Sequence, residues 1–471
     1  MIYDVRVKEI PPLPKSLSDS CFVHEIEGTA ISKEIGDLFP YLKAFKPTHE
    51  VERKKLKVGV VLSGGQAAGG HNVINGLLDE LKKLNQDSQL IGFLNGPKGV
   101  IENQSTLLEP EFVHRFLNTG GFDMIGSGRT KIETPEQFQS SLNTVKSHNL
   151  NGLVVIGGDD SNTNAALLAE YFLAHKQMTA VIGVPKTIDG DLKNDYIEES
   201  FGFDTAVKTY SEIIGNILKD TLSAKKYWYF IKLMGRSASH ITLETALQTH
   251  PNLTLISEEK RNLQDIVDEM VALISERASK GKNYGAILIP EGIIEFLPDT
   301  LPKEILEQAS YDAHGNLEVS KIEVERLLIS LVKKRLDPNI SFSPQPLFLG
   351  YEGRSAYPSY FDATYCYALG HVAALLVAKG STGRMATVSN LSKPVETWSI
   401  CGIPLLDMLG MEKRKGILKP VIKKTLVDLM SKKYLAFKQL ETSWRLSDDY
   451  RSPGPIQFWG PRDIVERPVF K

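Results

Sequence analysis

The chain has 471 residues, 42% of them hydrophobic, enough for two or three domains and a sizeable core. Lysine and arginine number 55 against 57 acidic residues, a formal charge of −2 that leaves no basic excess for nucleic acid. The three cysteines, Cys21, Cys366 and Cys401, are far apart and not at metal-ligand spacing, which excludes a disulfide framework and fits idle thiols in a reducing cytoplasm.

Residues 1–56 read as an extension: Met1–Glu9 alternates charged and apolar residues without a secretory core, and Pro11-Pro12-Leu13-Pro14 breaks regular structure. From Lys57 strands alternate with helices. Lys57–Leu62 is a β-branched run, Asn72–Leu84 has apolar residues at helical spacing, and Gln89–Leu94 is a second strand. Thr134-Pro135 with Gln137 signals a capped helix start. The runs 153–156 and 180–184 flank a helix from Thr163 to His175, and this alternation implies parallel strands with right-handed crossovers.

A second series follows, with helices from Phe201 to about Leu222, Ala238–Thr249 and Leu263–Ser279. Its strands are Tyr229–Leu233, Leu253–Ile256 and Tyr284–Ile289. The fold class is therefore α/β, two Rossmann-like three-layer lobes with mostly parallel sheets and a cleft between them. One lobe spans 57–200 and is completed by about 353–400; the other spans 201–352. Residues 297–346 read as irregular apart from a helix near Lys321–Lys334.

The remainder, 401–471, is expected to be helical, with a basic amphipathic helix over Pro420–Met430 whose Lys423 and Lys424 face solvent. Lys413-Arg414-Lys415 reads as a solvated turn and Pro453-Gly454-Pro455 as a terminal one. Trp398 and Trp459 are expected in the core. The most apolar stretch, Ala373–Ala378, is too short to cross a bilayer, so no membrane association is expected.

The chemistry concentrates where strands end. Ser63-Gly64-Gly65-Gln66 through Asn72 is a glycine-rich strand-to-helix junction, where backbone can approach an anion closely. It is neither a Walker loop nor a GxGxxG fingerprint. Gly157-Gly158-Asp159-Asp160-Ser161 and Pro185-Lys186-Thr187-Ile188-Asp189-Gly190-Asp191 follow two buried-strand runs. Four carboxylates and a lysine at such edges point to a phosphorylated, metal-bound substrate: Asp159 or Asp160 for Mg²⁺, Asp189 as base, Lys186 for developing phosphoryl charge. Ten histidines form no HxxxH or HxH pair, so zinc is not indicated; His240 and His250 read as packing or cap residues.

These segments, with Met234-Gly235-Arg236, Pro290-Glu291-Gly292 and Tyr351-Glu352-Gly353-Arg354, occur in the order and spacing of the phosphofructokinase family. The chain resembles its long, diphosphate-dependent branch from about Lys57 to Pro461. The resemblance implies the phosphofructokinase fold and reversible phosphoryl transfer from diphosphate to the 1-hydroxyl of fructose 6-phosphate, with Mg²⁺ as cofactor. By resemblance Gly65 contacts the donor, Asp159 binds Mg²⁺, Asp189 accepts the proton with Thr187 and Asp191 beside it, and Arg236 with Lys186 stabilises transition-state charge. Met234, Gly235, Arg236, Glu291, Tyr351, Glu352, Gly353 and Arg354 contact the sugar phosphate. Lys226 and Tyr227 reach a neighbouring subunit's site, so a homodimer or higher homo-oligomer is implied.

ATP-using relatives carry glycine at the positions of Asp160 and Lys186. Here Asp160 repels a nucleotide's α-phosphate while Lys186 holds diphosphate. An ATP-dependent 6-phosphofructokinase and a non-catalytic regulatory subunit are the competing readings. The presence of Asp159, Asp189 and Arg236 speaks against the second. The glycine loop departs from the usual pattern at Ala68, where relatives have proline.

Overall fold

The computed structural model describes residues 6–18, 24–25, 31–46, 51, 53–236, 238–297, 321–414 and 417–454. Cys21, Lys415, Pro455 and Trp459 lie outside them; Lys413 and Arg414, expected in a solvated turn, instead end the strand Leu409–Arg414.

The larger sheet has eight strands. In chain order they are β1 (His24–Glu25), β2 (Lys57–Leu62), β3 (Gln89–Phe93), β4 (Ser105–Leu107), β5 (Gly152–Gly157), β6 (Ala180–Pro185), and the later β11 (Arg384–Ser389) and β12 (Ser399–Pro404). The second sheet takes β7 (Trp228–Leu233), β8 (Leu253–Thr254), β9 (Gly285–Pro290) and β10 (Pro344–Leu349); β13 (Leu409–Arg414) and β14 (Ile417–Ile422) form a hairpin. The main helices are α1 (Gly70–Leu84), α2 (Pro135–Ser147), α3 (Asp159–Ala174), α4 (Phe203–Ala224), α5 (His240–Thr249), α6 (Leu263–Ser279), α7 (Val324–Arg335), α8 (Tyr351–Ser355), α9 (Tyr360–Ala378) and α10 (Lys432–Trp444).

The first sheet is ordered β1-β12-β11-β6-β5-β2-β3-β4, parallel except where β12 meets β11 and β3 meets β4. The second, β10-β7-β9-β8, is parallel throughout. All six residues of β5, β6 and β9 are buried, as strands covered by helices on both faces must be. From β2 the chain first winds outward to β3, then returns through α2 to β5 and β6 on the other side. The strand order thus reverses between β2 and β5, and such a switch point leaves a crevice at the C-terminal edge.

Helix α9 packs on α1 within the first lobe and also ties that lobe to the second. In α1 and α9 facing glycines allow close approach: a Cβ at Gly76 would lie 2.1 Å from the Tyr367 carbonyl oxygen, and one at Gly370 2.2 Å from that of Val73. Asp362, on α9, caps α4 of the other lobe, accepting from the amides of Gly202 at 3.0 Å and Thr205 at 2.9 Å. Helix α9 is long and apolar enough to cross a membrane, more so than the sequence reading allowed, yet it is buried along its length as a core helix.

Three local expectations change. Residues 1–56 are not merely an extension: β1 adds to the sheet edge beside β12, where Glu25 pairs with Lys379 at 2.8 Å and Arg384 at 3.1 Å, and Phe39 is fully buried. Residues Pro344–Leu349 form an edge strand; prolines at 344 and 346 hid it, and edge strands are where missing N–H groups are tolerated. Pro420–Met430 is not a helix, because residues up to Ile422 pair with β13 and the chain beyond runs without regular structure. Strand pairing outweighs an eleven-residue period that carries a proline. The segment from 401 onward is consequently mixed, with α10 its one long helix among the described residues.

Candidate active site

The crevice predicted by the switch point is lined by the ends of β2 and β5, tied together by the Ser63 amide donating to the Ile156 carbonyl at 2.8 Å. Gly64 lies at φ +87°, which only glycine adopts without strain, and a Cβ there would sit 3.3 Å from Lys186 Nζ. A Cβ at Gly65 would lie 2.8 Å from Arg354 Nη2 and 3.6 Å from an Arg129 nitrogen. Bare backbone is therefore overlaid by three cations, two from the first lobe and Arg354 from α8. Arg354 also donates to the Gln66 side-chain oxygen.

Helix α3 begins at Asp159, four residues earlier than its apolar spacing indicated, with Gly158 as N-cap. Both carboxylates thus occupy the first turn, where exposed amides and the helix dipole favour negative charge. Asp160 pairs with Lys131 at 3.1 Å.

At the end of β6, Lys186 is 6% exposed and its amide donates to the Gly157 carbonyl at 3.0 Å. Burial, with Arg354 and Arg129 adding repulsion, lowers its pKa to about 8 against the pull of Asp189 and Asp159. The Asp189 amide donates to Thr187 Oγ1 at 3.1 Å. Burial raises the Asp189 pKa, while Lys424, the Arg236 backbone N–H and Lys186 oppose the rise. Burial and neighbouring Asp189 push Asp191 up to about 7.

The second sheet presents its own C-terminal edge. The Met234 amide donates to the Leu349 carbonyl at 2.9 Å and the Glu291 amide to that of Leu233 at 2.9 Å, so Met234, Gly235, Arg236, Glu291 and the start of α8 lie side by side. Buried Glu291 accepts from the Gly235 amide at 3.1 Å, and burial raises its pKa to about 7. Arg236 Nε donates to Glu295 at 3.0 Å. Glu352 accepts from the Gly350 amide at 2.8 Å, Gly353 packs against the Tyr210 ring, and Tyr351 is 61% exposed with Arg354 over its ring.

The two edges meet at Asp189, whose carboxyl lies near enough to the Arg236 backbone N–H to be stabilised by it. Lys226 and Tyr227 are not brought there. They precede β7, whereas Met234–Arg236 follow it, and six strand residues separate the two groups by about 20 Å.

Three cations were missed by the sequence reading: Arg129, Lys131 and Lys424. Arg129 and Lys131 sit in an irregular loop, held where the Asn164 amide group bonds the Ile132 backbone at 2.9 and 3.1 Å. Lys424, expected in solvent, turns inward: its Nζ lies 3.6 Å from Asp159 and 3.9 Å from Asp191. Burial works against that ammonium, but Asp159, Asp191, Asp189 and Asp160 raise its pKa regardless. Its neighbour Lys423 packs its stem over Gly410. His240 and His250 are packing residues as expected, the first 2.8 Å from the Thr425 carbonyl and the second stacked on Trp444 at 4.0 Å.

Among the described residues no three His, Cys, Asp or Glu side chains converge as a metal cage. The four aspartates offer only hard oxygen donors. That set fits Mg²⁺, which binds through one or two carboxylates and fills its remaining positions with water and substrate phosphate.

A glycine-floored cationic cradle beside carboxylates, at the junction of two parallel-sheet lobes, defines a phosphoryl-transfer enzyme. The chain belongs to the phosphofructokinase family, whose description, "Phosphofructokinase", matches residues 57–377. It is 46% identical to the pyrophosphate–fructose 6-phosphate 1-phosphotransferase of Porphyromonas gingivalis, over 98% of this chain and 96% of that one. It is 43% identical to the enzyme of the same name from Entamoeba histolytica, over 99% and 98%. Among solved structures, a pyrophosphate-dependent phosphofructokinase from Nitrosospira multiformis superposes with a TM-score of 0.62 at 17% identity, covering 86% of this chain and 95% of that one, a likeness of fold.

Proposed function

We propose that this protein transfers a phosphoryl group reversibly from diphosphate to the 1-hydroxyl of fructose 6-phosphate, giving fructose 1,6-bisphosphate and phosphate. One observation carries the reading: Asp189 is held at the meeting of both lobes, beside Lys186 and the glycine-floored cradle. The relatives' shared activity supports it.

Diphosphate lies over Gly64 and Gly65, bound by Lys186, Arg129 and Arg354. The sugar phosphate lies along Met234–Arg236, Glu291 and Tyr351–Arg354. Asp189 takes the proton from the 1-hydroxyl as its oxygen attacks the terminal phosphorus and the bridging P–O bond breaks. Lys186 and Arg129 stabilise the charge gathering on the leaving phosphate. Asp159 would hold Mg²⁺, which when bound would supply charge to neutralise phosphate oxygens. Asp160, fixed by Lys131, sets a negative charge where a longer polyphosphate would continue, so the site favours diphosphate over ATP.

Lys226 and Tyr227 serve a sugar site only across a subunit boundary, and we read the enzyme as a homodimer or larger homo-oligomer. A cytoplasmic location completes the reading. The test is product formation from fructose 6-phosphate and Mg²⁺ with diphosphate and with ATP in parallel. Product with diphosphate alone is expected. Product with ATP alone would overturn the donor assignment, and no product with either, from folded protein, would leave a ligand-binding subunit.

A further inference from the structure

Lys424 is not a surface lysine that happens to fold inward. The backbone around it is anchored at four points: Ile422 N to Thr163 Oγ1 at 3.1 Å, Thr425 N to the Asp191 carbonyl at 2.7 Å, the Thr425 carbonyl to His240 Nε2 at 2.8 Å, and Val427 N to Glu258 Oε1 at 2.9 Å. Thr163 and Asp191 belong to the first lobe, His240 and Glu258 to the second. The arm leaving β14 therefore bridges the cleft at a fixed height, and Lys424 is two-thirds covered with its ammonium among the carboxylates. Its charge sits within 4 Å of Asp159 and Asp191, the volume that Mg²⁺ and its coordinated oxygens need. An ammonium and a divalent ion repel at such separations, so the two compete for these carboxylates.

Building on the reading of Asp159 as metal ligand, we propose that Lys424 is a built-in monovalent substitute for the divalent metal, neutralising Asp159 and Asp191 until metal and diphosphate enter together and displace its ammonium toward the phosphate. The carboxylates then stay preorganised without metal, and metal alone binds weakly because it must first displace a tethered cation. Diphosphate supplies the displaced ammonium with a new partner, so metal and diphosphate binding are positively linked.

The experiment is Mn²⁺ titration of the substrate-free full-length enzyme, with free Mn²⁺ followed by electron paramagnetic resonance, repeated with the non-hydrolysable analogue methylenediphosphonate. K424M should bind Mn²⁺ alone at least tenfold more tightly than wild type, and the analogue should improve its Mn²⁺ affinity less than it improves that of wild type. K424R and K423M should behave like wild type in the absence of the analogue. A merely structural lysine would not give this result, since loosening the arm weakens a metal site rather than tightening it. Folded K424M that binds Mn²⁺ no more tightly than wild type overturns the proposal; if K424M does not fold, K424Q carries the same expectation. D159N separates the two readings. Loss of Mn²⁺ in D159N with no gain in K424M sinks the Lys424 proposal alone, whereas D159N binding like wild type sinks the metal assignment and this proposal with it.

Discussion

Lys186 is held charged where burial disfavours charge, and replacing it with methionine should raise stability while slowing turnover. Its pKa falls from 10.5 to about 8. At ~1.36 kcal/mol per pH unit that drop corresponds to about 3 kcal/mol by which folding disfavours the ammonium. Methionine has nearly the same length and no charge, and Asp189, its pKa already raised by burial, can take up a proton once the ammonium is gone, so K186M without substrate or metal should gain on the order of 1–3 kcal/mol at pH 7. The sign with pH follows from the depressed value. Below pH 8 folded and unfolded lysine are both protonated and the cost is present in full. Between 8 and 10.5 the folded group loses its proton first, so wild-type stability rises and the K186M advantage shrinks. Turnover with diphosphate should fall by about 10²–10³, as when one donor to developing charge is removed. Urea unfolding midpoints at pH 7 and pH 10, with initial rates against diphosphate, test both halves. K186M unfolding at lower urea than wild type at pH 7, or turning over diphosphate at the wild-type rate, would refute the reasoning.

Three further substitutions probe separate parts of the molecule. D189N should lower kcat by about 10²–10⁴ with little change in KM for fructose 6-phosphate, in a steady-state assay, because it removes the base and keeps the shape. R277M should destabilise by roughly 1–3 kcal/mol in chemical denaturation. That guanidinium is fully buried, donates to the Tyr284, Arg445 and Ser447 carbonyls, and pairs with Asp448 at 2.8 Å, so its loss removes three hydrogen bonds to the chain after α10, while Asp448 keeps Lys282 at 2.8 Å and the Tyr284 hydroxyl at 3.0 Å. G76A places a methyl within 2.1 Å of the Tyr367 carbonyl oxygen and should cost at least about 1–3 kcal/mol by forcing α1 from α9, visible as a lower Tm.

The strands that carry the site were readable because buried parallel strands are apolar throughout, and their ends were readable because glycine followed by acid has few structural uses there. Asp159, Asp189 and Lys186 each lie within a few residues of the strand that positions them. Strand β10 was not readable, since its prolines contradict a central strand and only the tertiary fold makes it an edge. The start of α3 was misplaced for a related reason: apolar spacing marks where a helix buries its face, not where its amides begin.

Chain order and local pattern were thus enough to determine an α/β protein with a glycine loop, paired acids and a lysine at neighbouring strand ends, because strand, turn and first helical turn are set by adjacent residues. Tertiary structure alone decided that Arg129 comes to that loop and Lys131 to Asp160, both held through Asn164, and that Lys424 reaches the carboxylates from the far end of the chain. A long cationic side chain on irregular backbone carries no period that says where it points. Its direction is set by what packs beneath it and by the charges that packing leaves to be balanced.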